Sequence, residues 1–167
     1  MNRAIYVLFL FFPLLFLQVF VFNNVLFLGH INPYVYIAFV IFYPLKKERY
    51  LFLFLSFLLG LSIDYFSDSG GINAFSLLFV AYIRLFLVRV IFKKTEQDYL
   101  LFNLQQEPFG KVFNYVITLI VIHHFILFSL ANFSFQNFSS VFTNTLYSSV
   151  FTSVLFFIGT YIIRKKK

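Results

Sequence analysis

The chain has 167 residues, 61% of them hydrophobic and only 11% charged, with a mean hydropathy of +0.88. Those proportions exclude an ordinary soluble domain and match a chain whose long uncharged runs cross a bilayer. The absence of cysteine excludes disulfides and thiolate metal sites, and the net charge of +7 lies in short clusters beside apolar runs, which is membrane-flanking charge rather than a nucleic-acid face.

The first apolar run spans about 4–22, interrupted by Pro13 and Gln18. It is too long for the hydrophobic region of a signal peptide, and Val19 to Asn24 offers no small-residue cleavage site, so it reads as an uncleaved span. Gln18 within it is a buried amide suited to an interhelical hydrogen bond. A loop signature follows, with Asn23-Asn24 and then Gly29-His30-Ile31-Asn32-Pro33.

The second run, 33–45, is bracketed by Pro33 and Pro44. It supplies ~20 Å of helix against ~30 Å of hydrocarbon, so a re-entrant loop competes with a crossing. Charge decides between them. If the run crosses, Arg3, the Lys46 to Arg49 cluster, the Arg89 to Lys111 cluster and the Arg164 to Lys167 tail share one side, as the positive-inside rule demands. The segment is therefore expected to span, tilted or thinned at its ends.

The third run, 50–66, carries Ser56, Gly60 and Asp64 in line at four-residue spacing, a small and polar face on which another helix packs. Asp68-Ser69-Gly70-Gly71 supplies the positive-φ and capping chemistry of a tight turn. The fourth run, 72–92, aligns Asn73, Ser76, Val80 and Arg84, so these two runs are expected to meet as a hairpin through their polar faces. Arg84 lies ~12 Å from the basic end of its helix, where it either snorkels or is buried. Asp64, ~9 Å nearer the opposite surface, is poorly placed for a direct ion pair with it. Its carboxylate either caps the turn or holds the hairpin or a partner's cation through its charge.

Residues 98–107 mix apolar and polar side chains and read as a short interfacial helix ended by Pro108 and Gly110, or as a cytoplasmic partner surface. The fifth run, 112–131, holds His123-His124 near its centre. Adjacent helical residues point ~100° apart, so the two imidazoles cannot share one metal, and they are structural hydrogen-bonding groups or groups that titrate or bind. Residues 132–140 form a polar loop. The sixth run, 141–163, shows Thr145, Ser148, Thr152 and Gly159 as a packing stripe before the basic tail.

The chain thus reads as an all-α integral membrane protein, residues 1–167 forming a single six-span domain with both termini cytoplasmic. It carries no P-loop, nucleophile elbow, HExxH or converging pair of carboxylates, so no enzymatic activity and no cofactor is expected.

Gln18, Pro33 with Tyr34 and Tyr36, Pro44, the run Gly60 to Ala74 and Ala81-Tyr82-Ile83-Arg84 together resemble the rod shape-determining membrane protein family MreD, in particular variants with a glycine pair after the acidic residue. His123-His124 resembles the same variants. The resemblance covers most of the chain in hydropathy and length, and its specific part is residues 60–84. It implies a six-helix bundle similar to the substrate-binding subunit of energy-coupling-factor vitamin transporters, in the bacterial cytoplasmic membrane. It also implies a part in the elongation machinery that organises peptidoglycan synthesis, through MreC and, indirectly, MreB, RodA and its transpeptidase. Gly60, Asp64, Gly70, Gly71, Arg84 and Gln18 are the candidate structural or partner-binding residues. The Phe- and Ser-rich loop at 132–140 departs from the family's outer loops. A small-molecule-binding transporter subunit is the alternative, but the short loops and thinly spread polar residues favour the scaffold.

Overall fold

A computed structural model describes residues 3–25, 32–45, 49–95, 98–99, 102–132 and 138–165. Among them every regular element is helical. Helix α1 (Arg3–Phe16) continues through a π-helical turn, Leu17–Val21, and a 3-10 turn, Phe22–Asn24; α2 (Ala38–Phe42) is preceded by a 3-10 turn, Val35–Ile37. Four long helices complete the bundle: α3 (Tyr50–Ser67), α4 (Ile72–Phe92), α5 (Phe109–Ala131) and α6 (Phe138–Lys165).

Five helical segments are long and apolar enough to cross a membrane: Ile5–Asn24, Tyr50–Ser67, Ile72–Phe92, Phe109–Ala131 and Phe138–Ile162. This is a multi-pass helical architecture. Its surface is apolar, with Phe9, Phe20, Phe54, Phe86 and Val150 among the large side chains directed outward, as expected of helices solvated by lipid. Phe12, Phe16 and Phe20 stack along the outside of α1 and the π-helical turn that continues it, with ring centroids 6.5 and 5.8 Å apart.

The segment 33–45, expected to be a short span, is helical over still less of its length. Only Val35 to Phe42 is helical, and Tyr34 and Tyr43 leave helical geometry at either end. Pro33 and Pro44 account for this, because proline lacks a donor and disfavours helix in the residue before it. Yet the segment is the centre of the bundle. Tyr36, Ile37, Phe39, Val40 and Ile41 are at most 2% exposed. It lies alongside the first helical run: Pro33 sits beside Gln18, and the Phe42 carbonyl lies 3.5 Å from the Tyr6 hydroxyl.

Antiparallel packing sorts the connections into two ends. Tyr6, Tyr43, Arg49, the close of α4 and the start of α5 mark the basic end; Asn23, the α3–α4 turn and the close of α5 mark the other. The region 98–107 is not an α-helix over its described part, which has only 3-10 geometry, at 98–99 and at Leu104–Gln106. It is pinned inward instead: Tyr99 is buried and the Phe102 ring packs 5.2 Å from Phe92. Asn103 caps its own turn by accepting the Gln105 N–H. Asp98 accepts from the N–H and hydroxyl of Thr95 at 2.8 Å each, which holds its carboxyl below the usual carboxylate range. Residues 133–137, at the centre of the polar loop, lie outside the described residues.

Candidate functional site

The polar side chains inside the bundle form two clusters, one toward each end, joined by the short segment that α2 occupies. At the end opposite the basic one, α3 closes on Asp68 in the left-handed region (φ 51°), with the Ser69 N–H returning to the Asp64 carbonyl at 3.2 Å. Gly70 and Gly71 follow at φ 66° and 92°, conformations a β-carbon would strain, and they reverse the chain into α4.

Gly71 is the N-cap of α4 and has no side chain with which to satisfy the first amides of that helix. Asp64 does this from the preceding helix. Its Oδ1 accepts from the Asn73 N–H at 3.0 Å and Asn73 Nδ2 at 2.9 Å, and its Oδ2 accepts from the Ala74 N–H at 2.7 Å. The Ser69 hydroxyl donates to the same Oδ1. A carboxylate at 4% exposure is thus surrounded by donors at the positive end of a helix, the arrangement that most favours a buried negative charge. Asn73 extends the network, its Oδ1 accepting the Tyr36 hydroxyl at 2.7 Å.

Gly60 lies one turn below Asp64 and makes the clasp possible. A β-carbon there would stand 2.5 Å from Ala74 Cα and 2.7 Å from the Asn73 carbonyl oxygen, so α3 and α4 meet backbone to backbone.

A buried helix of eight residues exposes as many orphan backbone groups as a long one, and in hydrocarbon nothing solvates them. Gln18 serves the start of the Tyr34–Phe42 segment: its Nε2 donates to the Pro33 carbonyl at 3.1 Å and its Oε1 accepts the Val35 N–H at 2.9 Å. Thr152 on α6 accepts the Tyr34 N–H at 3.1 Å. Arg84 serves the other end, with Nη2 donating to the Ile41 and Tyr43 carbonyls at 3.2 and 2.6 Å. Its Nε donates to the Tyr115 hydroxyl at 3.0 Å and its guanidinium lies 5.2 Å from the Phe52 ring. Arg84 is therefore buried rather than snorkelling, and its described partners are neutral.

The two histidines diverge. His124 contacts the Ile120 carbonyl through Nδ1 at 2.7 Å and the Thr152 hydroxyl through Nε2 at 3.1 Å. A carbonyl only accepts, so the ring proton is on Nδ1, which donates to Ile120, and Nε2 accepts the hydrogen bond donated by the threonine hydroxyl. His123 is fully buried, and neither ring nitrogen has a partner among the described residues. Its ring packs 5.2 Å from Tyr36, 5.3 Å from His124 and 6.3 Å from Tyr34. On α6, Thr145 and Ser148 are buried with hydroxyls likewise unpartnered, whereas Gly159 is partly exposed and touches nothing within 4 Å of where its β-carbon would stand. The expected stripe therefore packs only over its first part.

The structure unites Gly60, Asp64, Gly70 and Gly71 in one clasp and leaves Arg84 in the other cluster. Tyr115 and Tyr6 had no legible role in the sequence, because a tyrosine in a Phe-rich span looks like any other aromatic.

Fold and buried network together define a class, the multi-pass helical bundle built around a short, proline-bounded central segment. Compared with known protein families, curated proteins and solved structures, the chain matches none of them.

Proposed function

We propose that this chain is a non-enzymatic membrane scaffold of the MreD type, crossing the bacterial cytoplasmic membrane six times with both termini cytoplasmic. In this reading the short Tyr34–Phe42 segment is the sixth crossing, completed by its extended ends and enclosed by longer helices. The protein binds a bitopic MreC-type partner and, through it, works with MreB, RodA and its transpeptidase in organising peptidoglycan synthesis.

The supporting observation is the use of the polar residues in the run that carries the resemblance. Asp64, Asn73 and Arg84 all engage backbone or side chains of the bundle itself, and are spent on holding helices in fixed relation. A rigid bundle with a lipid-facing aromatic surface suits a protein whose work is to hold another membrane protein. The test is co-purification of the MreC-type protein of the same genome, together with cell width in a strain lacking the chain. Absence of the partner and normal width would overturn the proposal.

A second reading, a small-molecule-binding subunit of a vitamin-type transporter, is favoured by the unpartnered His123 ring beside Tyr34 and Tyr36. A defined small molecule carried through purification, and lost in His123→Leu, would put that reading first.

A further inference from the structure

Arg84 has a second face. The bonds described for it use three of the five N–H groups of a guanidinium, one on Nε and two on Nη2, and no described atom accepts the pair on Nη1. A cavity of about 10 Å³ adjoins this side chain at the basic end of the bundle, lined by Tyr43, Pro44, Arg49, Phe52, Arg84 and the neighbouring leucines 45 and 85. Among the described residues the lining brings two guanidiniums and no carboxylate. Arg49 is itself fixed, donating through Nη1 to the Tyr82 carbonyl at 3.3 Å and lying 5.7 Å from the Tyr82 ring.

A buried cation whose partners are all neutral dipoles retains its full charge at membrane depth, a costly state that a nearby anion relieves. The cavity volume restricts what can enter. It has room for about one water-sized atom, too little for a whole phosphate but enough for one of its oxygens.

We propose that Arg84 and Arg49 form a phosphate-oxyanion site, in which one non-bridging oxygen inserts against Arg84 and the rest of the group stays outside against Arg49. The position of the cavity, at the basic end among apolar side chains, fits the headgroup phosphate of a membrane lipid whose chains lie along the bundle. Free phosphate shares this chemistry and is distinguished by experiment.

Delipidated protein in detergent is titrated with dioleoylphosphatidylglycerol, with dioleoylglycerol, which has the same chains and no phosphate, and with inorganic phosphate. Binding is followed by native mass spectrometry and by the thermal unfolding midpoint. Phosphatidylglycerol binds and raises the midpoint, dioleoylglycerol does not, and Arg49→Gln weakens the phospholipid roughly tenfold or more while Arg49→Lys restores part of the loss. An equal, Arg49-dependent shift with inorganic phosphate alone assigns the same site to the free ion. If both lipids act alike, or if Arg49→Gln binds phosphatidylglycerol as the wild type does, the site does not exist. Arg49 is half-buried on the surface, so the ligand-free midpoint of each variant reports separately whether folding is intact.

Discussion

Asp64 shows how much depends on which oxygen accepts which proton. An amide replaces a carboxylate that accepts a single capping bond almost without loss, but here both oxygens receive backbone N–H groups, from Asn73 and from Ala74. Asp64→Asn keeps one acceptor and turns an NH2 toward the other N–H, leaving two donors face to face in a dry site. The expected loss is about 1.5–3 kcal/mol, the range for hydrogen bonds to a charged group, read as a lower thermal midpoint of the purified protein. An unchanged midpoint would mean that the carboxylate does not hold α4. Arg84 yields the complementary case. Tyr115→Phe removes one neutral partner and should cost about 1 kcal/mol, whereas Arg84→Met strands the Ile41 and Tyr43 carbonyls and should cost several. Equal effects in thermal unfolding would refute the assignment of Arg84 to the end of the short segment.

At the scale of elements, the α3–α4 hairpin depends on a contact with no spare volume. Gly60→Ala places a methyl carbon 2.5 Å from a backbone atom of Ala74, and neither backbone can yield without breaking the Asp64 bonds above it. The substitution should destabilise by about 1–3 kcal/mol or more, with Gly60→Leu failing to accumulate in the membrane; wild-type stability of Gly60→Ala would exclude the close crossing. This hairpin was the most legible part of the sequence, because Asp68-Ser69-Gly70-Gly71 is a turn by its chemistry and the small residues at 56 and 60 share a helical face. The run 33–45 was less legible. Its prolines mark its limits, but hydropathy does not reveal that helix is retained only from Val35 to Phe42 or that its free carbonyls fall to Arg84. The acceptors are backbone atoms, which leave no mark in the residue pattern, so Arg84 could be seen as anomalous without its partner being seen. The 98–107 stretch misled for a related reason: its helix-like mixing of apolar and polar residues reflects two aromatic anchors, Tyr99 and Phe102, rather than an amphipathic face.

For the whole molecule, the arrangement of ends turns charge into orientation. Among the described residues Arg49, Arg89, Lys93, Lys94 and Lys111 lie in the connections or terminal turns at one end, and Arg84 alone is buried farther along a span. The opposite end presents Asn23, Ser67, Asp68 and the glycine turn, with no lysine or arginine among its described residues. Positively charged loops stay on the cytoplasmic side during insertion, so the α3–α4 turn should face outward and the α4–α5 connection inward. The natural absence of cysteine makes this directly measurable. Ser67, exposed and bonded only at its hydroxyl to Asn23, tolerates replacement better than Ser69, whose hydroxyl belongs to the Asp64 network. In intact cells Ser67→Cys should react with a membrane-impermeant maleimide, and Thr95→Cys should react only after the membrane is opened. The reverse pattern would invert the molecule, move the Arg49–Arg84 cavity to the outer leaflet and remove the cytoplasmic termini on which the scaffold reading depends.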